Sequence, residues 1–316
     1  VNAIYDPDGQ PVIFDLQVEA EILGCKLVWA NDVPPTVAEH PLENHLELPH
    51  HLPEPDEGRL PLILNAMREF KHLAGDRTAL YGLVCGPMTL ASHLRGTEIF
   101  MDMFDHTDYL AGLLAYARDV TLRMVELYRE AGMDILAVVD PLVSQVSPRH
   151  FKQFLLQPYS DIFDNIRQMG AFSSFFVCGD ATKNIDVMCQ SRPDSISVDE
   201  NINLPKAKQI TDKYNITIGG NIPLTTRMLL GSQQDNMKFV VDLFDQLADP
   251  ELGLAPNNFI LAPGCDMPYD VPTENVVGVL QAVRDPESTR KMLENYQSST
   301  FDIEVNLPDY QHPEQP

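Results

Sequence analysis

The chain has 316 residues, of which 44% are apolar and 22% are charged, as is typical of a globular protein. Its 46 acidic residues outnumber 22 lysines and arginines and give a net charge of −24, which disfavours nucleic acid or an anionic membrane surface as a partner. No apolar run approaches the roughly 18 residues that a membrane span needs, so a soluble protein is expected.

The five cysteines are too few and too widely spaced for a disulfide framework, and no pair has CxxC spacing. No signal peptide opens the sequence, so we expect a cytoplasmic protein. The chain starts at Val1 rather than at a methionine, which leaves room for an element upstream.

Short β-branched or aromatic runs alternate with helix-like sequence along the chain. The clearest helical pattern covers 107–131, where apolar residues recur at helical spacing and Gly132 follows as a stop signal. The predicted strands lie near 12–16, 79–85, 134–140, 172–178, 195–199, 216–219 and 258–262.

This alternation predicts an α/β fold with a parallel sheet, and seven strands are one short of a (β/α)8 TIM barrel. We therefore expect one barrel over residues 1–298, with its first strand upstream of Val1. The alternative is a doubly wound open sheet, but the sequence has neither the GxGxxG nor the GxxxxGK[ST] motif that often accompanies that fold.

Two segments differ from the rest of the chain. Residues 30–60 contain six prolines and several acids and histidines, which predicts an excursion outside the barrel. Histidines interleaved with prolines and acids are more typical of a solvated loop than of a metal site. Residues 299–316 are polar and proline-punctuated, which predicts a surface tail.

Polar residues follow most of the predicted strands. In a barrel these positions meet at one mouth, where the active site lies. They are Cys85, Asp140, Cys178, Asp199, Glu200, Asn221 and Cys265.

Cys178, Glu200 and Cys265 combine two thiolates with a carboxylate, a ligand set that suits Zn²⁺. Three protein ligands leave one coordination position open, where an incoming thiol would lose its proton. The alternative is that both cysteines are small buried hydrophobes.

Asp140, Asp199 and Asn221 are the candidate catalytic residues, because they can hydrogen-bond a planar heterocycle or stabilise a cationic intermediate. The alternative for the aspartates is that they cap the following helices.

At these residues the sequence resembles the uroporphyrinogen decarboxylase superfamily. The resemblance runs through nearly the whole chain and implies the (β/α)8 barrel. It is carried by Phe14-Asp15 with Glu19-Ala20-Glu21, Leu23-Gly24-Cys25, Gly86-Pro87-Met88-Thr89, Ser147-Pro148, Val177-Cys178-Gly179, Val198-Asp199-Glu200, Gly220-Asn221-Ile222 and Pro263-Gly264-Cys265.

The Val-Cys-Gly and Pro-Gly-Cys segments look like the corrinoid-dependent methyltransferase branch of that superfamily. The resemblance implies methyl transfer between a corrinoid (methylcobalamin or a corrinoid protein) and a small acceptor such as a thiol or tetrahydrofolate. It places Cys178, Glu200 and Cys265 at zinc-ligand positions, but Phe176 stands where a histidine ligand is expected.

We assign corrinoid contacts to Cys85, Gly86 and Gly179. The alternatives are decarboxylation of a tetrapyrrole and non-catalytic binding of a corrinoid or tetrapyrrole.

Overall fold

The structure is a computed structural model that describes residues 2–31, 34–248 and 256–297. The predicted alternation of strand and helix is confirmed over these residues. The strands are β1 (Gly9–Ile13), β2 (Lys26–Val28), β3 (Thr36–Glu39), β4 (Ala79–Cys85), β5 (Ile135–Val139), β6 (Phe172–Val177), β7 (Ser195–Val198), β8 (Thr217–Ile222) and β9 (Phe259–Pro263).

The helices differ widely in length, from short turns to the long α6. They are α1 (Asn2–Tyr5), α2 (Val18–Ile22), α3 (Leu60–Ala74), α4 (Pro87–Arg95), α5 (Ile99–Asp105), α6 (Thr107–Glu130), α7 (Pro148–His150), α8 (Leu156–Gln168), α9 (Ile185–Gln190), α10 (Leu204–Thr211), α11 (Gln233–Leu247), α12 (Thr273–Arg284) and α13 (Pro286–Met292). Among the described residues, none of these helices is both long and apolar enough to cross a membrane.

Seven strands form one parallel sheet in the order β1-β4-β5-β6-β7-β8-β9. Strands that follow one another in the chain are therefore neighbours, as in a barrel, whereas a doubly wound sheet reverses its order at a switch point. The predicted eighth strand lies outside the described residues, and no pairing of β1 with β9 is present within them.

The sheet is strongly curved between β1 and β6. Three strand intervals of about 4.8 Å would separate these strands by about 14 Å in a flat sheet. Phe14, directly after β1, nevertheless lies with its ring centroid 6.0 Å from that of Phe176 on β6. Both rings pack on the apolar cluster of Leu83, Ala137 and Val139, which fills the concave face.

The other face of the sheet is covered by helices. Helix α6 matches the prediction for 107–131 closely and ends before Gly132, whose φ of +99° suits glycine. It packs closely on β4. A Cβ added to Gly82 of β4 would lie 3.0 Å from side-chain atoms of Tyr128 on α6 and of Met133 just after the helix.

Strand β1 covers Gly9–Ile13 and so ends earlier than the predicted 12–16. The Asp15 carboxylate accepts a hydrogen bond from the Gln17 N–H at 2.9 Å. This local turn ends the extended segment and leads into α2.

The predicted excursion lies outside the parallel sheet. It contains β3, which forms an antiparallel hairpin with β2, a strand that ends just before the predicted excursion. This hairpin is separate from the seven strands. The following segment is held mainly through backbone carbonyls. Arg95 donates to the carbonyls of Leu42 and Glu43, and Tyr116 donates to that of His51 at 2.6 Å.

The chain divides into two compact units, one comprising Val1–Leu224 with Phe244–Met267 and the other Thr225–Leu243 with Pro268–Pro316. In the second unit, the buried Asn275 amide donates to the carbonyls of Met228 and Gly231, each at 2.8 Å. The predicted tail at 299–316 lies outside the described residues, and the single domain over 1–298 stays a prediction.

The close packing of β4 on α6 predicts that Gly82→Ala destabilises the protein. A methyl group at this position must displace side chains of Met133 or Tyr128, which should lower the free energy of unfolding by about 1–3 kcal/mol. Urea denaturation would measure the change. Leu62→Ala is the control, because Leu62 is 73% exposed on α3 and should change stability by less than about 0.5 kcal/mol. Equal effects of the two substitutions would contradict the prediction.

Candidate functional site

The structure brings together two of the predicted zinc ligands. The Sγ atoms of Cys178, after β6, and Cys265, after β9, lie 3.4 Å apart, and both residues are half-buried. Their shared hydrogen bond raises the pKa of the Cys178 thiol and lowers the pKa of Cys265. The pair thus favours one thiol donating to one thiolate.

Glu200 lies against Gly264, the residue before Cys265. Its Oε2 atom is 2.6 Å from the position that a Cβ on Gly264 would occupy, so glycine leaves room for the carboxylate next to Cys265. Two zinc-bound thiolates at about 2.3 Å would lie about 3.8 Å apart in tetrahedral geometry, close to the spacing of the sulfurs.

The full zinc-ligand set is nevertheless not assembled. Within the described residues, no three His, Cys, Asp or Glu side chains are grouped so that they could hold a metal ion. Phe176 fills the place of the expected histidine and packs against Phe14. The residues as placed therefore fit a thiol pair and not a complete zinc site.

Asp199 and Asn221 lie next to the thiol pair and organise its loops. The Asp199 carboxylate accepts hydrogen bonds from the Gly179 N–H and from the backbone and side chain of Asn201. The Asn221 amide donates to the carbonyls of Asp199 and Ile202, each at 2.8 Å. Both carboxylate oxygens of Asp199 and the amide nitrogen of Asn221 thus form hydrogen bonds with the loops after β6 and β7.

Gly179, one of the predicted corrinoid contacts, is half-buried and has a φ of +83°. A Cβ there would lie 2.9 Å from the Ser144 hydroxyl oxygen, so this turn also favours glycine for steric reasons.

Asp140 is completely buried at the end of β5. Its carboxylate accepts hydrogen bonds from the N–H groups of Met88 and Thr89 at the start of α4, from the Thr89 hydroxyl and from the Tyr159 hydroxyl. Burial raises its pKa to about 6, whereas these four donors oppose the shift. The Asp140 carboxylate, at the end of β5, therefore caps α4, the helix that follows the neighbouring strand β4. This geometry does not favour the predicted contact of Asp140 with substrate.

Cys85 and Gly86 are enclosed beside Asp140. Cys85 is 0% exposed, and burial raises the pKa of its thiol far above the usual range. A Cβ on Gly86 would collide with the Asp140 carboxyl group, at 2.5 Å from its Cβ. Both residues therefore pack inside the protein at the end of β4. Their assignment as corrinoid contacts stays a prediction, and their burial does not favour it.

A second group of charged residues lies near the ends of β1 and β4. Asp15, Glu19 and Glu21 belong to the motifs that carry the family resemblance, but the sequence patterns gave no role to Glu19, Glu21 or Arg59. Glu19 is 1% exposed, and its Oε1 accepts a hydrogen bond from the Cys85 N–H at 2.9 Å. Arg59 donates to Asp15 and, at 2.6 Å, to Glu21. The sequence signal for a buried carboxyl group was an acidic residue between two apolar ones, Val18 and Ala20. The structure buries both of these neighbours completely.

Two thiols, several carboxylates and an amide thus lie at the carboxyl ends of sequentially paired parallel strands. This arrangement is typical of the active-site face of a (β/α)-barrel enzyme.

The comparisons with known proteins agree with this class. Residues 3–286 match the family described as Uroporphyrinogen decarboxylase (URO-D). The chain belongs to this family, which confirms the resemblance seen in the sequence.

Curated relatives include two kinds of enzyme. The methylcobamide:CoM methyltransferase MtbA of Methanosarcina acetivorans is 25% identical over 283 residues, which cover 87% of this chain and 78% of the relative. A uroporphyrinogen decarboxylase from a Wolbachia species is 24% identical over 290 residues, covering 89% of this chain and 78% of the relative.

A solved methyltransferase structure from Methanosarcina mazei superposes with a TM-score of 0.78 at 23% identity, covering 90% of this chain and 82% of that one. The likeness supports the fold assignment.

The network around Asp140 predicts that Asp140→Asn destabilises the protein. An amide NH2 would face donors that now share the carboxylate, and this mismatch should lower the free energy of unfolding by about 2–3 kcal/mol. Chemical denaturation at neutral pH would measure it. Tyr159→Phe removes one donor without creating a mismatch and should cost only about 1 kcal/mol. A smaller loss for Asp140→Asn than for Tyr159→Phe would contradict the assignment.

The geometry beside Cys178 predicts that Phe176→His strengthens zinc binding. An imidazole adds a nitrogen ligand to the thiol pair, and the affinity should rise by about tenfold or more. Chelator competition and metal analysis by mass spectrometry would measure it. Phe14→His is the control, because it changes the other ring of the same contact without adding a ligand next to Cys178. Equal zinc affinity in wild type and Phe176→His would count against a zinc site here.

Proposed function

We propose that this protein transfers a methyl group between a corrinoid, either methylcobalamin or the prosthetic group of a corrinoid protein, and a small acceptor such as a thiol or tetrahydrofolate. The observation that carries the proposal is the contact between the thiols of Cys178 and Cys265 at the active-site face. Relatives named methylcobamide:CoM methyltransferases support it, since that name describes transfer from a methylated corrinoid to a thiol.

In the direction towards the acceptor, a bond forms between the methyl carbon and the acceptor sulfur or nitrogen. The carbon–cobalt bond breaks, both of its electrons stay with cobalt, and the acceptor releases its proton. The corrinoid supplies the reactive bond, whereas the protein holds the two reactants in line and excludes water.

Cys178 and Cys265 are the residues through which we expect the acceptor to be oriented. The two sulfur atoms lie side by side, and their pKa shifts favour Cys178 as the hydrogen-bond donor and Cys265 as the acceptor. Asp199 and Asn221 keep the surrounding loops in place.

Zinc is not a requirement of the proposal. The two thiols and Glu200 are the residues that would hold it, and zinc would lower the pKa of a bound acceptor thiol. Because three ligands are not grouped among the described residues, no step of the reaction is assigned to the metal.

Tetrapyrrole decarboxylation is the second candidate, and the decarboxylases among the relatives favour it. A polycarboxylate substrate requires several cations at the active-site face. Arg59 lies at the β1 end of this face, but it is already paired with Asp15 and Glu21. The charges at this end thus favour methyl transfer over decarboxylation.

Incubation with methylcobalamin and a panel of thiols and tetrahydrofolate would test the proposal. Loss of the methylcobalamin spectrum that depends on one acceptor is the expected result. The same protein should be assayed for decarboxylation of uroporphyrinogen. Decarboxylation without acceptor-dependent demethylation would overturn the proposal in favour of the second candidate.

The thiol contact predicts that Cys178→Ser and Cys265→Ser each lower kcat/KM for methyl transfer by about tenfold or more. Serine lacks the acidity and polarisability of a thiol, so the thiol–thiolate pair is lost. Cys189→Ser is the matched control, since Cys189 is a buried thiol on helix α9 rather than at a strand end. Similar activity in all three variants would show that the thiols are incidental.

A further inference from the structure

Glu19 is an enclosed carboxyl group with only one of its oxygens engaged among the described residues. Oε1 accepts the hydrogen bond from the Cys85 N–H, while Oε2 is buried and has no hydrogen-bond partner there. An unpaired buried polar atom is costly, and it is therefore rare unless it serves a purpose.

Arg59, in turn, has a hydrogen-bond donor without an acceptor among the described residues. Its Nη1 and Nε atoms donate to Asp15 and Glu21, whereas its Nη2 is buried and has no partner in the described part of the chain. The unpartnered acceptor thus belongs to Glu19 and the unpartnered donor to Arg59. The two side chains carry opposite charges when Glu19 is ionised, and they interact electrostatically.

The surroundings of Glu19 oppose its ionisation. Titratable groups face it from four parts of the chain, and they are Asp15 after β1, Arg59 before α3, Cys85 on β4 and Tyr128 on α6. Burial raises the pKa of Glu19 to about 7, and the Asp15 carboxylate adds to the shift. Both charge states are therefore accessible near neutral pH.

The Arg59 guanidinium is in contact with an exposed aromatic ring. It lies 4.9 Å from the ring centroid of Trp29, which is 56% exposed. Phe14 precedes Asp15 in the chain and contacts Phe176, two residues before Cys178. The group of Arg59 and Trp29 therefore belongs to the β1 end of the active-site face, with the Phe14–Phe176 contact between it and the thiol pair.

We propose that Glu19 is a positioning residue for ligand binding at this face: un-ionised, it leaves Arg59 with Asp15 and Glu21, and ionised, it draws the unpartnered Nη2 of Arg59 towards itself. The proposal rests on the proposed function, because it makes Arg59 and Trp29 one wall of the methyl-transfer site. An exposed indole backed by a guanidinium suits a flat conjugated ring such as a corrinoid or a pterin. Movement of Arg59 would alter this wall.

Trp29 provides a direct measurement, because it is the only tryptophan in the chain. Its fluorescence, excited selectively, should change sigmoidally with pH around a midpoint of about 7 in the wild type. Glu19→Gln keeps the oxygen that accepts from Cys85 and cannot ionise, so its curve should be flat. Glu21→Gln is the matched control, since it removes a partner of Arg59 but leaves Glu19 in place, and it should still titrate.

A second variant covers the possibility that Glu19→Gln folds poorly. Arg59→Lys keeps the charge but replaces the forked guanidinium by a single ammonium group, so it should also abolish the change in Trp29 fluorescence. A wild type whose fluorescence is constant across this pH range, or a Glu19→Gln variant that titrates like the wild type, would overturn the proposal.

Methyl transfer from methylcobalamin supplies the functional readout. Dividing kcat/KM of Glu19→Gln by that of the wild type at each pH cancels the ionisation of the acceptor. The proposal makes un-ionised Glu19, which glutamine mimics, the form that leaves the wall intact. The ratio should therefore rise by about tenfold from pH 6 to pH 8, because the un-ionised fraction of Glu19 falls from about nine-tenths to about a tenth over this range. A ratio independent of pH would contradict the positioning role.

The two proposals can fail separately. A titration of Trp29 that depends on Glu19, in a protein that transfers no methyl group to any acceptor, would contradict the proposed function and support the pairing of Glu19 with Arg59. Methyl transfer with no such titration would have the opposite meaning.

Discussion

Parallel pairing of the strands in chain order is the constraint on which the site depends. Every strand of the sheet ends at the same edge, so the residues after the strands meet whatever their distance in the sequence. Cys178 and Cys265 are 87 positions apart and in contact. Curvature adds to this effect, because it brings Phe14 and Phe176 together from strands that a flat sheet would keep apart.

Three buried carboxyl groups at this edge differ in how well the protein satisfies them. Asp140 accepts four hydrogen bonds and Asp199 accepts three, and in each case the donors belong to loops or helix ends that the carboxylate holds in place. Glu19 accepts one from Cys85 and is left, among the described residues, with an unused oxygen. A saturated carboxylate has little capacity left for a ligand, whereas a half-saturated one can respond to its surroundings. The number of donors therefore distinguishes the two carboxylates that hold loops or helix ends from Glu19, which keeps an unused oxygen among the described residues.

Sequence patterns predicted the seven strands and the meeting of their polar ends, because strand periodicity and strand-end position are local properties. They did not predict the roles of the acids. The donors to Asp140 come from Thr89 and Tyr159, which lie 51 and 19 positions away, and the partner of Asp15 is Arg59, 44 positions away. Such pairings depend on how helices lie over the strand ends, which spacing in a sequence does not encode.

The segment after β3 is attached to the rest of its unit through its backbone carbonyls, and this affects how its sequence can change. Arg95 and Tyr116 bind the carbonyls of Leu42, Glu43 and His51 rather than their side chains. A carbonyl is the same acceptor whichever residue carries it, so these anchors tolerate replacement of nearly every side chain between them. The segment can therefore acquire a new surface chemistry by substitution alone, while the barrel-type sheet beneath it keeps the same attachment points.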